Sequence, residues 1–342
     1  MTIALDATYS LGERLSGVGI YSRELLHGLC AAHADVRFQF CYRPHRFFRA
    51  WAEQLPANAR RRLLATPVAP RRAALFHGLN QRLPAFRMRR AVATFHDLFV
   101  LSAEYSTAEF RERFAAQARD AAARADILIA VSQFTKSQVT ALLGVEPARV
   151  RVVHHGVRGL DLRPAAREKI ILTVGGVQKR KNHFRLVEAF EAVAPDWRLV
   201  LAGSPGFGAA EILARIQASP ARDRIQLTGY VTPDELASLY SRASVFAFPS
   251  LDEGFGIPVL EAMAAGVPVI TSNRSALPEV AGDAAWLVDP ERTESLAQAL
   301  RELTRNEDAR QQLARRGRER AEEFTWDKAA RQTWEVYRDV LD

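Results

Sequence analysis

The sequence has little cysteine, little lysine and no long apolar run. Its two cysteines, Cys30 and Cys41, allow at most one disulfide and lack the spacing of a metal site. Both stand among apolar residues, so we expect buried, reduced thiols. No run reaches the roughly 18 to 20 apolar residues that a membrane-spanning helix needs, and the first residues carry no signal-peptide pattern. These absences predict a protein on the cytosolic side of the membrane.

Lysine is scarce because arginine carries nearly all of the positive charge. Only five of the 47 basic residues are lysines, and the formal net charge is +8. The segment from Arg37 to Arg90 contains 13 arginines and only one acidic residue, Glu53. Such a surface attracts anionic lipid at about 1 kcal/mol per well-placed cation, and it also attracts nucleic acid. A solvated arginine-rich face that reflects genome composition is the third interpretation.

The length of 342 residues is enough for two domains, each with its own core. Short apolar runs alternate with helical patterns from Ile3 onward, which is typical of parallel strands joined by crossover helices. A polar stretch with Gly and Pro at 154–164 separates two series of this kind. We therefore predict two doubly wound α/β domains, at 1–160 and 161–325. A ligand cleft is expected where the carboxyl ends of the two sets of strands meet.

Three local predictions bear on the sites. The glycine-bearing loop Leu15–Gly19 is expected to precede a helix that begins at Ile20, and either a phosphate or a simple tight turn explains its glycines. The basic segment Phe47–Leu64 is expected to be a helical insertion. Thr232 is expected to cap the helix that follows it.

The stretch from Phe248 to Asn273 has the strongest pattern in the chain. Its residues run F-P-S-L-D-E-G-F-G-I-P-V-L-E-A-M-A-A-G-V-P-V-I-T-S-N, so Glu253 and Glu261 stand on either side of a loop-to-helix junction. Pro258 suits the first helical position, and the helix N-terminus provides free N–H groups and partial positive charge for an anion. Carboxylates accept hydrogen bonds from hydroxyls. The layout therefore favours a nucleoside diphosphate sugar over a bare phosphate.

Two further segments supply candidate site residues. Lys179, Arg180 and Lys181 crowd the start of a helix, which is unfavourable unless an anion binds there. Phosphate binding is the favoured interpretation, and a solvated basic turn is the alternative. His96 follows the apolar strand Ala91–Phe95 at the strand end where ligand sites form. On the residues alone, a single histidine at that place is more often structural.

The combined motifs resemble those of glycosyltransferase family 4. The Glu253-(seven residues)-Glu261 pair is similar to that family's E-x7-E motif, with G-F-G-I-P inside it and L-P-E-V-A-G at 277–282 after it. The likeness extends from G-V-G-I-Y at 17–21 to F-T-W-D-K-A-A at 324–330. It implies the GT-B fold, in which two Rossmann-like domains face each other across a cleft. It also implies that a C-terminal helix at 326–342 crosses back to the first domain.

The resemblance assigns roles to the matching positions. His96 and Glu253 would contact the transferred hexose, and Glu261 would bind the ribose. The nucleobase would lie beside Tyr230 and Val231. The donor diphosphate would be bound by Gly17, Arg180, Lys181 and the backbone N–H groups of Phe255, Gly256 and Ile257. Gly176 stands where many relatives have an additional arginine, so one phosphate contact is missing or supplied elsewhere.

The implied activity is a retaining hexosyl transfer without a protein nucleophile. The sequence is most similar to mannosyltransferases of bacterial surface polysaccharides, which favours GDP-mannose as donor and a saccharide or lipid-linked saccharide as acceptor. No D-x-D pair or zinc-type spacing is present, so we expect no metal and no cofactor. The basic Arg37–Arg90 surface would contact anionic membrane at the inner face of the plasma membrane. The alternatives are a UDP-sugar donor, a nucleic-acid-binding protein and a catalytically silent GT-B protein.

Overall fold

The computed structural model describes residues 1–66, 70 and 72–342. It contains two compact units. Unit 1 consists of Met1–Gly156 and Phe324–Asp342, and unit 2 consists of Val157–Glu323. Arg71, which belongs to the predicted basic surface, lies outside the described residues.

Unit 1 is built on a parallel sheet. Its strands within the described residues are β1 (Thr2–Asp6), β2 (Arg37–Tyr42), β3 (Ala59–Leu63), β4 (Leu75–Gly78), β5 (Ala91–Phe95), β6 (Ile127–Ala130) and β7 (Val150–Val152). They lie in the order β3-β2-β1-β4-β5-β6-β7. The connecting helices are α1 (Gly17–Ala32), α2 (Pro44–Phe47), α3 (Phe99–Ser102), α4 (Ala108–Arg124) and α5 (Gln133–Leu143).

Unit 2 repeats this plan with a six-stranded sheet. Its strands are β8 (Glu168–Val174), β9 (Arg198–Ala202), β10 (Ile225–Gly229), β11 (Ala243–Phe248), β12 (Val269–Ser272) and β13 (Ala285–Val288), in the order β10-β9-β8-β11-β12-β13. Its helices are α6 (His183–Phe190), α7 (Ala209–Gln217), α8 (Pro233–Arg242), α9 (Ile257–Ala264), α10 (Leu277–Ala281), α11 (Thr293–Arg305) and α12 (Glu307–Glu322). The last helix of the chain, α13 (Trp326–Leu341), belongs to unit 1.

Both sheets place their first strand in the interior. In unit 1 the chain runs from β1 to β2 and β3 on one side and then continues with β4 on the other side of β1. In unit 2 the same reversal occurs between β8 and β11. Ligands of doubly wound sheets bind outside the strand carboxyl ends at such a switch point. The topology therefore marks one edge of each sheet as the place for a site.

The central strands are apolar along their length because both faces of a parallel sheet are covered. All five residues of β5 are buried, and β11 is buried at five of its six positions. Fully burying a Leu, Ile or Phe side chain stabilises the folded state by about 1.5–3 kcal/mol. Each unit has core clusters made of its own residues.

Helix α13 packs closely on α1 within unit 1. A Cβ on Gly28 of α1 would stand 3.3 Å from the Cβ of Ala330, so the small residues allow close approach of the two helices. At the end of α1, the ring of His33 stacks on Trp334, with centroids 3.8 Å apart. The final helix is thus part of the first unit's core.

Two of the local predictions are wrong. Helix α1 begins at Gly17 rather than Ile20, because Ser16 caps it by accepting a hydrogen bond at Oγ from the Gly19 N–H. The segment 47–64 is not one helix. It contains the end of α2, a 3₁₀ turn at Phe48–Ala52 and the edge strand β3, which pairs in parallel with β2. The arginine run at 60–62 gave no clear period, and pairing with β2 decides its conformation.

Candidate active site

Three ionised side chains meet in unit 2 and are called here the ion cluster: Arg180, Lys181 and Glu253. The Lys181 Nζ lies 2.6 Å from Glu253 Oε1, and the Arg180 Nη1 lies 2.9 Å from the same oxygen. All three side chains are about nine-tenths buried. The sequence prediction named these residues from segments 72 positions apart, and the structure brings them into direct contact.

The backbone that carries the two cations is fixed by several contacts. A 3₁₀ turn at Lys179–Lys181 ends at Asn182, which has a left-handed φ of 59°. The Asn182 Nδ2 donates to the carbonyl oxygens of Pro249 and Pro290, at 3.1 and 2.7 Å. The Leu251 N–H donates to the Arg180 carbonyl oxygen at 2.8 Å. The basic turn is therefore attached to the loop that follows β11.

Charge stabilisation in the ion cluster is strong. Burial alone would raise the pKa of Glu253, but Arg180 and Lys181 outweigh it and lower the pKa to about 2. Lys181 Nζ also lies 4.4 Å from the centroid of the Phe248 ring, within the range of a cation–π contact. Burial and the nearby Lys181 charge lower the pKa of His183 to about 3, so this histidine is neutral at physiological pH.

The loop before α9 turns sharply at Gly256, and the helix begins one residue earlier than the position of Pro258 predicts. Gly256 has φ of +110°, and a Cβ at this position would lie 2.8 Å from Leu277 Cδ2. Ile257 is the first helical residue and Pro258 the second, which corrects the placement of Pro258. Gly266 has the left-handed φ of +65° that suits the residue after a helix end.

Glu261 lies on α9 with partners that the sequence did not reveal. Its side chain is buried, and its Oε2 accepts a hydrogen bond from the Tyr240 hydroxyl at 3.1 Å. Arg158 Nε stands 4.0 Å from Oε1. Burial raises the pKa of Glu261, and Arg158 and Tyr240 oppose this shift. No motif marks Tyr240 or Arg158, since one is in a helix and the other in the predicted linker.

Tyr230 and Val231 occupy the turn between β10 and α8. Tyr230 is 39% exposed and Val231 is half-buried. Thr232 caps α8 as predicted, and its capping box is complete because Glu235 accepts from the Thr232 N–H at 2.7 Å. The turn therefore presents an accessible aromatic ring next to a capped helix start.

In unit 1, His96 is a buried, neutral side chain at the carboxyl end of β5. Burial lowers its pKa to about 4, against the opposing effect of a hydrogen bond to the Leu79 carbonyl oxygen. That bond is 2.9 Å long and involves Nε2. A carbonyl oxygen only accepts, so Nε2 carries the proton. Nδ1 of the neutral ring therefore offers a lone pair to a hydroxyl donor.

His96 belongs to a connected group of polar side chains, called here the histidine cluster: His96, Tyr21, Thr94, His77 and Tyr337. The Tyr21 ring packs edge-on against His96, with centroids 4.6 Å apart, and its hydroxyl lies 2.9 Å from Thr94 Oγ1. His77 Nε2 lies 2.8 Å from Thr94 Oγ1, and His77 Nδ1 lies 2.7 Å from the Tyr337 hydroxyl. The cluster therefore links β4, β5, α1 and α13. Sequence reasoning found only His96 of this group.

Gly17 is the remaining predicted contact, and it is exposed at the first turn of α1. It lies in unit 1 with His96, whereas the other predicted site residues lie in unit 2. Among the described residues, no three His, Cys, Asp or Glu side chains are grouped as metal ligands would be. None of the helices in this part of the chain is both long enough and apolar enough to span a bilayer.

Both units match known glycosyltransferase families. Residues 161–320 match the family described as Glycosyl transferases group 1, and residues 15–158 match Glycosyltransferase Family 4. The O-antigen chain mannosyltransferase B of Escherichia coli is 27% identical, over 97% of this chain and 98% of its own length. Alpha-maltose-1-phosphate synthase of Mycolicibacterium smegmatis is 33% identical, over 70% of this chain and 68% of its own length.

A solved structure agrees with the fold. Sucrose-phosphate synthase from Thermosynechococcus elongatus superposes with a TM-score of 0.80 at 24% identity, over 99% of this chain and 98% of that chain. Its similarity covers both sheets. Together with the family matches of the two units, this shows that the chain belongs to glycosyltransferase family 4 and has the GT-B fold of two Rossmann-like domains.

Proposed function

We propose that the chain transfers a hexose with retention from a nucleotide sugar to a saccharide or lipid-linked saccharide acceptor. The observation that carries the proposal is the buried ion cluster. Arg180 and Lys181 are held side by side against Glu253, and a guanidinium next to an ammonium is a donor set that suits phosphate oxygens. We assign the donor diphosphate to these two cations.

In the proposed reaction the two cations bind and stabilise the leaving diphosphate. Arg180 offers a planar fork of donors and Lys181 a compact charge, which are complementary ways to hold phosphate oxygens. The N–H groups of Phe255, Gly256 and Ile257 contribute further donors at the start of α9. As the glycosidic bond to the diphosphate breaks, these groups stabilise the charge that develops on the leaving oxygen.

The remaining residues orient the donor. The buried Glu261 carboxylate accepts hydrogen bonds from the ribose hydroxyls, and Tyr230 with Val231 adjoins the base. Glu253, which stays ionised, and His96 Nδ1 accept from hexose hydroxyls. No side chain is assigned as nucleophile. The acceptor hydroxyl attacks from the face that the diphosphate leaves, and a phosphate oxygen takes its proton, so catalysis depends on positioning and charge stabilisation.

The proposed donor is GDP-mannose, and the proposed role is synthesis of a cell-surface polysaccharide. The supporting observation is the similarity, over almost the full length of both chains, to an O-antigen chain mannosyltransferase. A UDP-sugar is the second candidate donor, because it has the same ribose and diphosphate groups as GDP-mannose and would make the same contacts through them. The contacts of the nucleobase would therefore determine which of the two donors binds.

The test of this proposal is a thermal-unfolding screen of the full chain against nucleotide sugars, followed by a transfer assay. A donor that binds the folded chain at about 100 times its Kd adds about 2.7 kcal/mol of stability. We expect GDP-mannose to give the largest rise in Tm and the product to keep the anomeric configuration. An inverted product would reject the retaining mechanism, and a larger rise with a UDP-sugar would replace GDP-mannose.

We also propose that unit 1 contacts an anionic membrane. Phe48 and Trp51 are 83% and 66% exposed, and Arg46 and Arg49 stand beside them in sequence. Arg61 donates to the carbonyl oxygens of Ala50 and Glu53 and lies over the Trp51 ring, so the aromatic turn is firmly held. Exposed aromatic rings among arginines are typical of segments that lie in a membrane interface.

Charge reversal and aromatic removal test the membrane contact separately. Arg60 and Arg62 are exposed on β3, so replacing both by Glu should abolish co-sedimentation with vesicles that contain an anionic lipid. The double variant Phe48→Ala with Trp51→Ala should weaken binding without changing its dependence on lipid charge. Unchanged sedimentation of the Arg variant would reject the proposal, as would equal binding to neutral vesicles.

A further inference from the structure

Unit 1 contains a cavity of about 530 Å³ whose polar lining is dominated by arginine. It is called here the arginine cavity, and the side chains that matter to its chemistry are Arg43, Arg82, Arg124, Gln117 and Asp120. Leu83 and Ala85 provide apolar wall. None of these residues belongs to the predicted donor site.

The cavity lies at the edge of the sheet where ligands of this fold bind. Arg43 directly follows β2, and Arg82 comes four residues after the end of β4. Strand β1 lies between β2 and β4, and the chain reverses its direction of strand addition at β1 and β4. A ligand in the cavity would therefore occupy the switch point of the unit 1 sheet. The Leu79 carbonyl that holds His96 belongs to the same loop as Arg82.

The three arginines are not equally compensated. Arg124 donates to Asp120 Oδ2 at 2.8 Å and to the carbonyl oxygens of Pro84 and Phe86. Arg82 instead donates to two neutral groups, Gln117 Oε1 at 2.6 Å and the Tyr9 hydroxyl at 3.3 Å. Within the described residues, no carboxylate pairs with Arg82. The two neutral groups therefore fix the position of the Arg82 guanidinium without neutralising its charge.

Arg43 has an unused donor at the same place. Its Nη2 lies 3.3 Å from Asp6 Oδ2, while its Nε is buried without a hydrogen-bond partner in the described structure. Asp6 Oδ1 already accepts from the Thr8 N–H and hydroxyl at 3.1 and 2.5 Å. Buried donors are nearly always paired in native proteins, so this guanidinium N–H remains available to a bound water or to a ligand oxygen.

We propose that the arginine cavity binds a phosphate ester group of the acceptor, with Arg82 and Arg43 as its ligands. The inference rests on the proposed transfer reaction and specifies its acceptor class as a phosphorylated saccharide. Two guanidinium forks at one site match the oxygens of a phosphate better than the hydroxyls of an uncharged sugar. Arg124, already paired with Asp120, acts as wall and as a support for the loop.

The test uses inorganic pyrophosphate as probe and keeps the donor site out of the measurement. Calorimetric titrations are made on the full chain with Lys181→Ala, and on the same variant with Arg82→Gln or with Arg87→Gln added. Arg87 is exposed in the same loop and outside the cavity, so it is a matched control for charge loss. We expect saturable binding to the Lys181→Ala chain, weakened about tenfold or more by Arg82→Gln and unchanged by Arg87→Gln.

Three outcomes would overturn the proposal: no saturable binding up to about 10 mM pyrophosphate, equal weakening by both arginine variants, or equal affinity for malonate. Donor binding is scored separately, with Arg82→Gln alone expected to keep the wild-type affinity for the nucleotide sugar. If the wild-type chain binds no nucleotide sugar, the proposed function fails irrespective of the cavity.

A transfer assay with a hexose 1-phosphate and with a polyprenyl diphosphate saccharide then distinguishes a soluble from a lipid-linked acceptor. Arg82→Gln is expected to raise KM only for the true acceptor.

Discussion

The ion cluster of unit 2 and the histidine cluster of unit 1 are both buried, but their polar side chains are stabilised in different ways. Arg180, Lys181 and Glu253 keep their charges because they compensate one another. The histidines of the other cluster are uncharged, because burial lowers the pKa of His77 to about 3 and that of His96 to about 4. One cluster is built from charge and the other from neutral hydrogen bonds.

Under the proposed function, this difference gives the two groups different roles. A developing diphosphate charge needs fixed cations, which only the ion cluster provides. A sugar hydroxyl needs a directional acceptor that does not attract phosphate, and a neutral imidazole with its proton on Nε2 provides one. Loss of a cation should therefore affect charge stabilisation, whereas loss of His96 should affect only orientation.

The largest effect is expected from removing the lysine of the ion cluster. Lys181→Ala should lower kcat about 10²- to 10³-fold, as the loss of one preorganised charge donor does in other enzymes. Lys179→Ala is the matched control, since Lys179 stands two residues away and is exposed. Steady-state kinetics measure both variants, and a similar kcat for the two would remove the ion cluster from the reaction.

Acid should destabilise the histidine cluster before the ion cluster. A buried histidine with a lowered pKa contributes stability above pH 6.5 that is lost as the pH falls toward the folded pKa, because the unfolded chain binds the proton first. At pH 5.5, one unit below the ordinary histidine pKa of about 6.5, the burial of His77 and of His96 should each lower the free energy of unfolding by about 1.4 kcal/mol. Glu253, with a pKa of about 2, affects stability only below pH 4.5. Urea unfolding at pH 7.5 and 5.5 measures this loss together with that of the other buried neutral histidines, His155 and His183. Equal free energies of unfolding at the two pH values would contradict neutral burial.

Replacing His96 sharpens the distinction between orientation and charge. His96→Ala should reduce kcat/KM about tenfold, which is the usual range for one hydrogen bond. His96→Asn should recover part of the loss because an amide oxygen also accepts. Between pH 6 and 9 the wild-type rate should show no step from His96, since its pKa is about 4. A step near pH 6.5 that disappears in the Asn variant would show that His96 titrates during turnover.

The smallest effect is expected at the far end of the histidine cluster. Tyr337→Phe removes the hydroxyl that lies 2.7 Å from His77 Nδ1 and leaves a buried nitrogen unpaired. The free energy of unfolding should fall by about 1–2 kcal/mol, while kcat stays within about twofold, because Tyr337 acts on His96 only through three other side chains. A large fall in kcat without a change in unfolding would contradict this structural role.

The sequence predicts most of the fold because strong apolar runs and breakers mark it. The strand Ala91–Phe95 has the expected bounds because its apolar pattern is unambiguous, and α8 begins directly after its predicted capping residue, Thr232. The helix predicted for the segment 47–64 was wrong, because an arginine run has no apolar period and only the pairing with β2 makes residues 59–63 a strand. Local pattern carries information where burial is regular, and it fails at an edge strand.

The candidate site could be predicted only in part for a related reason. Motifs name residues that are close in sequence, such as Glu253 and Glu261, and the contact of Glu253 with Lys181 follows from the sheet topology. Tyr240, Arg158 and the partners of His77 belong to no motif, because their positions depend on how helices pack on the sheets. The tautomer of His96 likewise depends on a backbone carbonyl 17 residues earlier.

One measurement tests the division of labour between the two clusters directly. GDP-mannose is titrated calorimetrically into the wild-type chain and into its Lys181→Ala, Lys179→Ala and His96→Ala variants. We expect affinity to fall about tenfold or more in Lys181→Ala, to stay unchanged in Lys179→Ala, and to fall by no more than about threefold in His96→Ala. Equal affinity in Lys181→Ala and the wild type would contradict donor binding at the ion cluster.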